Sequence, residues 1–165
     1  MQFDTSHLNF QTFTNDDLEE LHAIFYISVH EIGIKEYSSD QCEAWAPSDF
    51  DSYYWSMRLK NLKTIFALSD DKKVGFISYR NDGYIDFLYV LPEFNGKGIA
   101  KELYDITEFE LLSAISVSKI YTDASYLAKP FFEKQGFRVT KKNIVSLRGE
   151  QLINFSMEKR FDLFV

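Results

Sequence analysis

Several things that would announce a function are missing from this chain. There is one cysteine, Cys42, so no internal disulfide can form, which fits a reducing compartment. No apolar run approaches the roughly 18–20 residues needed to cross a bilayer. The first residues, Met1-Gln2-Phe3-Asp4, lack the basic and then apolar segments of a secretory leader. A cytoplasmic protein with no membrane partner is expected. Basic charge is scarce as well: 18 Lys and Arg stand against 25 Asp and Glu, a formal net charge of −7. This argues against nucleic acid as a partner, because phosphate neutralisation needs clustered cations. A cationic ligand is drawn to the same field, although an acidic balance also serves solubility. His7, His22 and His30 form no ligand set with Cys42, so no metal is expected, and no G-x-S-x-G elbow offers a serine nucleophile. Repeats, low-complexity tracts and linkers are absent too. With 165 residues, 45% of them hydrophobic and 17% aromatic, residues 1–165 are expected to form one globular domain.

The most informative stretch is 84–112. It begins as an apolar and aromatic strand, passes Leu91-Pro92, and opens at Asn95-Gly96-Lys97-Gly98-Ile99-Ala100 into an amphipathic helix. A strand, a glycine loop and a helix N-terminus in succession present unpaired N–H groups and the positive end of a dipole, a setting that suits phosphate. Gly96 and Gly98 let a ligand approach the backbone, and Lys97 adds a mobile charge. The dinucleotide fingerprint is excluded because its third glycine would fall at Lys101, and a P-loop is excluded because Gly-Lys-Ser/Thr is missing.

Around this stretch the chain alternates between helical and extended periods. A strand is expected over 8–12, then a helix from a Thr14 cap to Gly33, a short helix ending at Trp45, and another from Pro47-Ser48-Asp49 to Leu59. Strands at 64–69, 74–80 and 84–90 form a meander with turns at Asp70-Asp71-Lys72 and Asn81-Asp82-Gly83. The helix after the loop continues through Leu103, Ile106, Phe109 or Glu110, and Leu112. A strand at 119–123, a short helix at 128–135 stopped by Gly136, and a hairpin about Arg148-Gly149-Glu150 complete the chain.

The glycine loop resembles the acyl-CoA loop of the GNAT superfamily of N-acetyltransferases, Gln/Arg-x-x-Gly-x-Gly/Ala after a strand and a proline. Asn95, Gly98 and Ala100 take its marked positions. Residues 128–137, AKPFFEKQGF, resemble the family's later signature A-x-x-F-Y-E-K-x-G-F and follow at the family's spacing. The likeness covers 84–137 and weakens on either side. Within the family, the run at 85–90, Asp123-Ala124-Ser125 and the late Arg148-Gly149 look closest to the YafP-type branch.

The resemblance implies an α/β (α+β) GNAT fold. Its mixed central sheet is splayed between two middle strands, here 84–90 and 119–123, with helices on both faces. It also implies transfer of an acetyl group from acetyl-CoA to an amine of a small molecule by direct attack, in a monomer or homodimer. The N–H groups around Leu88, Tyr89 and Val90 would then hold the acetyl carbonyl and pantetheine. The run Asn95, Gly96, Lys97, Gly98, Ile99, Ala100 and Lys101 would take the pyrophosphate, and Ser125 and Phe132 would also meet the cofactor.

Three residues depart from the pattern: Asn95 for Gln or Arg, Ser125 for Asn, and Phe132 for a Tyr that protonates the leaving thiolate. Tyr126 or Tyr121 either replaces that donor or is structural. Asp86, flanked by Ile85 and Phe87 and sharing a face with Leu88, is either a general base in an apolar setting or a carboxylate paired with a nearby Lys or with backbone N–H groups. His22, Tyr26 and His30 form either a solvated helix edge or a functional one. His30, Trp45 and Tyr54 are the candidates for contact with the acceptor. Two other functions stay open: an acyl-CoA-binding regulatory module without turnover, for which Phe132 speaks, and acetylation of peptide or protein N-termini, which needs an open groove.

Overall fold

The computed structural model describes residues 5–162, so residues 1–4, on which the leader expectation rests, lie outside it. Seven strands form one sheet: β1 (Leu8–Thr12), β2 (Lys63–Ser69), β3 (Lys72–Tyr79), β4 (Tyr84–Val90), β5 (Lys119–Ala124), β6 (Arg138–Leu147) and β7 (Glu150–Arg160). Their spatial order is β1-β2-β3-β4-β5-β7-β6, and every neighbouring pair is antiparallel except β4 with β5. This is the expected mixed sheet, built on an early meander. Asp70 and Asp71, both at positive φ (48° and 66°), make the two-residue turn between β2 and β3, a conformation aspartate tolerates.

Helices cover both faces. On one lie α1 (Leu18–Ile32), α2 (Ser39–Trp45) and α3 (Ser52–Leu59); on the other lie α4 (Ile99–Glu110) and α5 (Lys129–Lys134). Phe25 of α1 meets the rings of Phe87 and Tyr89 edge-on, with centroids 5.7 and 5.1 Å away. On the opposite face the buried Tyr79 donates its hydroxyl to Glu110 of α4 at 2.7 Å.

Two local expectations are corrected. The helix expected from Pro47 begins instead at Ser52, because Asp51 accepts the Tyr54 N–H at 3.0 Å while Ser48 spends its own N–H on Glu43 at 2.9 Å. The buried stripe of α4 is Ile99, Leu103, Tyr104 and Thr107, continuing to Leu111 in a π-helical turn, Leu111–Ile115, whereas Phe109 is 75% exposed. The stripe is phased from Ile99 at the helix start, which turns Phe109 to solvent.

The feature that positions the site lies between β4 and β5. These strands pair at only two positions, Tyr84 with Tyr121 and Ile85 with Thr122, and then separate. The Tyr121 N–H donates to the Gly83 carbonyl at 3.0 Å and the Thr122 hydroxyl to the Ile85 carbonyl at 2.8 Å. Just beyond, the β3–β4 register skips a residue: Ser78 opposes Phe87 while Tyr79 opposes Ile85. Asp86 is therefore the extra residue of a β-bulge, which brings its side chain to the side of Phe87 rather than that of Leu88.

Gly83 fixes the closed end of this fork. It has φ of 99°, and a Cβ there would meet the Lys119 carbonyl oxygen at 2.3 Å; Gly149, at φ 81°, has nothing within 4 Å. Gly149→Ala should cost about 1 kcal/mol through φ alone. Gly83→Ala should cost several times as much in urea unfolding, because two backbones must also move apart. Equal losses in the two variants would show that β5 does not press on this turn.

Candidate active site

Beyond the two β4–β5 pairs the gap widens into a cavity of about 610 Å³. Its walls come from Phe87, Leu88 and Tyr89 of β4, Ala124 and Ser125 after the fork, Phe132 of α5, Trp45 and Tyr54 of the early helices, and Ile153 and Asn154 of β7. The edge of β4 along the gap carries unused donors. The Leu91 N–H bonds the Val74 carbonyl of β3 at 2.8 Å, so by the two-residue alternation of an antiparallel ladder the N–H groups of Tyr89 and Phe87 also face β3. Those of Leu88 and Val90 face the gap. The Val90 carbonyl points the same way and lies 3.1 Å from the Ser28 hydroxyl, which donates more closely to the Ile24 carbonyl at 2.6 Å.

The glycine loop follows the other end of this edge, since β4 ends at Val90, about 13 Å from Asp86 at 3.3 Å per residue. A 3₁₀ turn, Pro92–Phe94, leads into Gly96 at φ 74° and Gly98 at φ 81°, the residue that caps α4. Nothing lies within 4 Å of where a Cβ would stand at either glycine. The first N–H groups of the 12-residue α4 open into that space. Lys97 holds its ammonium over the Phe94 ring at 5.0 Å, and Lys101 pairs with Asp105 one turn on. The loop thus combines two glycines with open space above them, a helix N-terminus and nearby lysines, a set of groups that fits a diphosphate.

Asp86 does not sit in an apolar setting. Arg58 of α3 grips it with two hydrogen bonds, Nη1 to Oδ2 and Nη2 to Oδ1, the latter at 2.8 Å, and lays its guanidinium over the Phe87 ring at 4.9 Å. The carboxylate raises the proton affinity of Arg58 further above its ordinary value. Asp86 is thus the counter-charge of a partly buried guanidinium.

The other expected residues divide in two. Leu88, Tyr89, Ser125, Phe132, Trp45 and Tyr54 line the cavity with Asp86. Ser125 spends its hydroxyl oxygen on the Ala128 N–H at 3.1 Å. His30 faces away, its Nε2 on the Ala46 carbonyl at 2.8 Å and its ring over Tyr26 at 4.1 Å. Tyr126 packs edge-on against Phe155 at 5.1 Å and does not line the cavity. Tyr121 is bound to Asp82 at 2.7 Å on the outer side. Sequence reasoning missed Arg58, Tyr84, Asp123 and Arg148, all of which line the cavity. Burial raises the pKa of Tyr37, Tyr84 and Tyr89, with Asp123 and Asp86 adding to the effect on Tyr84, so these hydroxyls are donors and not bases.

The family model for the Acetyltransferase (GNAT) domain matches residues 34–159. The chain belongs to the GNAT acetyltransferase family. It is 35% identical over 152 residues to the uncharacterized N-acetyltransferase YafP of Escherichia coli K12, a match covering 92% of this chain and 95% of that protein. The GCN5-related N-acetyltransferase structure from Rhodopseudomonas palustris superposes with a TM-score of 0.90 at 32% identity, over 98% of this chain and 100% of the other. PaiA N-acetyltransferase from Thermoplasma acidophilum, solved with coenzyme A, superposes at 0.72 with 20% identity, over 93% and 99%. As a GNAT protein the chain is an acyl-CoA-dependent acetyltransferase.

For this GNAT chain the open space above Gly98 sets a direct test. Gly98→Val forces a branched residue into positive φ and fills the cradle, so thermal stabilisation by acetyl-CoA should disappear. A folded variant stabilised as strongly as the parent would contradict the loop's role. Tyr126→Phe should leave kcat unchanged, because its ring packs outside the cavity; a large fall would make it the donor.

Proposed function

We propose that this enzyme transfers the acetyl group of acetyl-CoA to the amine of a small cationic molecule by direct attack. The observation that carries this reading is the acidic cavity at the fork. Asp49, Asp51, Asp86 and Asp123 line it against the two guanidiniums of Arg58 and Arg148. An excess of carboxylates on a chain that is itself acidic favours a cationic acceptor.

The cavity is also bridged on one side. Arg148, in the β6–β7 turn, donates to the Ala44 carbonyl of α2 at 2.7 Å. Gln41 donates to the Gln151 carbonyl at 2.7 Å, and Tyr37 to the Ile153 carbonyl at 2.6 Å. Three bonds thus pin β7 and its turn to the early helices. A peptide running through would have to break them, whereas a small amine fits beneath them.

In this reading the chain's own groups divide the work. Asn95 to Lys101 hold the diphosphate, the Val90 N–H orients the pantetheine, and the Leu88 N–H polarises the acetyl carbonyl where negative charge builds up. Phe132, 3% exposed beside the cavity, has no proton to give. A thiol with a pKa near 8.5 leaves tolerably without one. Phe132 is the one feature that favours binding without turnover, and the acid-lined acceptor cavity speaks against that reading.

Release of free CoA across polyamines, amino acids, arylamines, aminoglycosides and peptides tests the proposal. Turnover is expected with small aliphatic amines and not with peptide N-termini. Release with peptides alone would overturn the small-acceptor reading. Stabilisation by acetyl-CoA without release on any amine would favour the binding module.

A further inference from the structure

Resting on amine acetylation as proposed above, we infer that Asp123 is the carboxylate that receives the acceptor's ammonium group and takes its proton. Its place in the fold comes first. Thr122 is the last β5 residue registered with β4, so Asp123 is the first residue past the closed end of the fork, and it lines the cavity.

Its hydrogen bonds come second. The Tyr84 hydroxyl donates to Oδ2 at 3.1 Å and the Ser156 hydroxyl to Oδ1 at 2.8 Å. Asn143 Nδ2 donates to the same Ser156 oxygen at 2.9 Å, which leaves the serine proton directed at Asp123. Both carboxylate oxygens are thus oriented by neutral donors, and each keeps a lone pair for an incoming N–H.

The charges around it come third. Asp86 is neutralised by Arg58, and Asp51 caps α3. Arg80 stacks on the Tyr84 ring at 4.6 Å but spends its charge on Asp82, which also holds Tyr121. Arg148, across the cavity, bonds the Ala44 carbonyl. Among the described residues no Lys or Arg forms an ion pair with Asp123, so its charge at the fork is uncompensated.

The chemistry balances. One N–H bond of the ammonium breaks as an O–H bond forms on Asp123. The freed lone pair attacks the acetyl carbon; C–N forms and C–S breaks, with the electron pair going to sulfur. A second proton passes from nitrogen to the thiolate, giving the amide and the CoA thiol. Asp123 is exposed and returns its proton to water, so one proton is released per turnover.

Steady-state CoA release at neutral pH tests this with two acceptors: 1,4-diaminobutane, which arrives protonated, and aniline, which is already neutral. Asp123→Asn should lower kcat/KM for the diamine by roughly 10²–10⁴-fold and spare aniline. Tyr84→Phe should lower it by roughly 2- to 10-fold through one lost hydrogen bond. Retained stabilisation by acetyl-CoA shows that the variants are folded. Asp123→Glu, which keeps the carboxylate, should recover part of the diamine rate. An Asp123→Asn enzyme as fast as the parent on the diamine overturns the inference and leaves amine acetylation standing. Selective loss of the diamine in Asp86→Asn instead would give the role to Asp86. A parent that releases no CoA with any amine overturns both readings.

Discussion

The cavity in this molecule depends on a parallel pairing that stops after two positions. β5 can leave β4 because its other edge is fully occupied: from Lys119 to Ala124 it pairs with β7. β4 can leave β5 because the bulge at Asp86 bends it while β3 still pairs with it up to Val90. The separation strands donors along the β4 edge, and unpaired backbone N–H groups inside a fold demand a partner. An amide-rich chain such as pantetheine would supply one, which is the ground for proposing the break in the sheet as a binding edge.

The same bulge decides what Asp86 does. An extra residue turns its side chain toward α3, where Arg58 waits, and the resulting pair lies flat against Phe87. That takes one carboxylate out of the cavity's field. Asp123 stands across the fork on β5, where the Tyr84 and Ser156 hydroxyls donate to it. A local irregularity of register thus separates the carboxylate paired with Arg58 from the one we propose meets the acceptor.

The loop and the late signature were legible in the sequence because they are local: glycine spacing, a proline and a run of ten residues carry them. So were the strands, whose bounds at 84–90 match β4. What was not legible is long-range or depends on register. Nothing in the sequence joins Arg58 to Asp86, 28 positions away, and period-two alternation put Asp86 on the Leu88 face because a bulge leaves no mark in such a pattern. His30 and Tyr126 were plausible by residue type, and the fold spent one on the Ala46 carbonyl and the other on Phe155. Asp123 stood inside a phrase already noted as family-like. The parting of β5 from β4 next to it, on which its proposed role rests, leaves no mark in the sequence.

The central claim is that the open edge of β4 is the acyl-CoA-binding edge. Residue-resolved amide hydrogen exchange, with and without acetyl-CoA, tests it most directly. Slowed exchange is expected at Leu88 and Val90 and at the first amides of α4. Tyr89, already bonded to β3, should change little. Protection at Tyr89 but not at its two neighbours, or protection confined to residues away from the fork, would contradict the account.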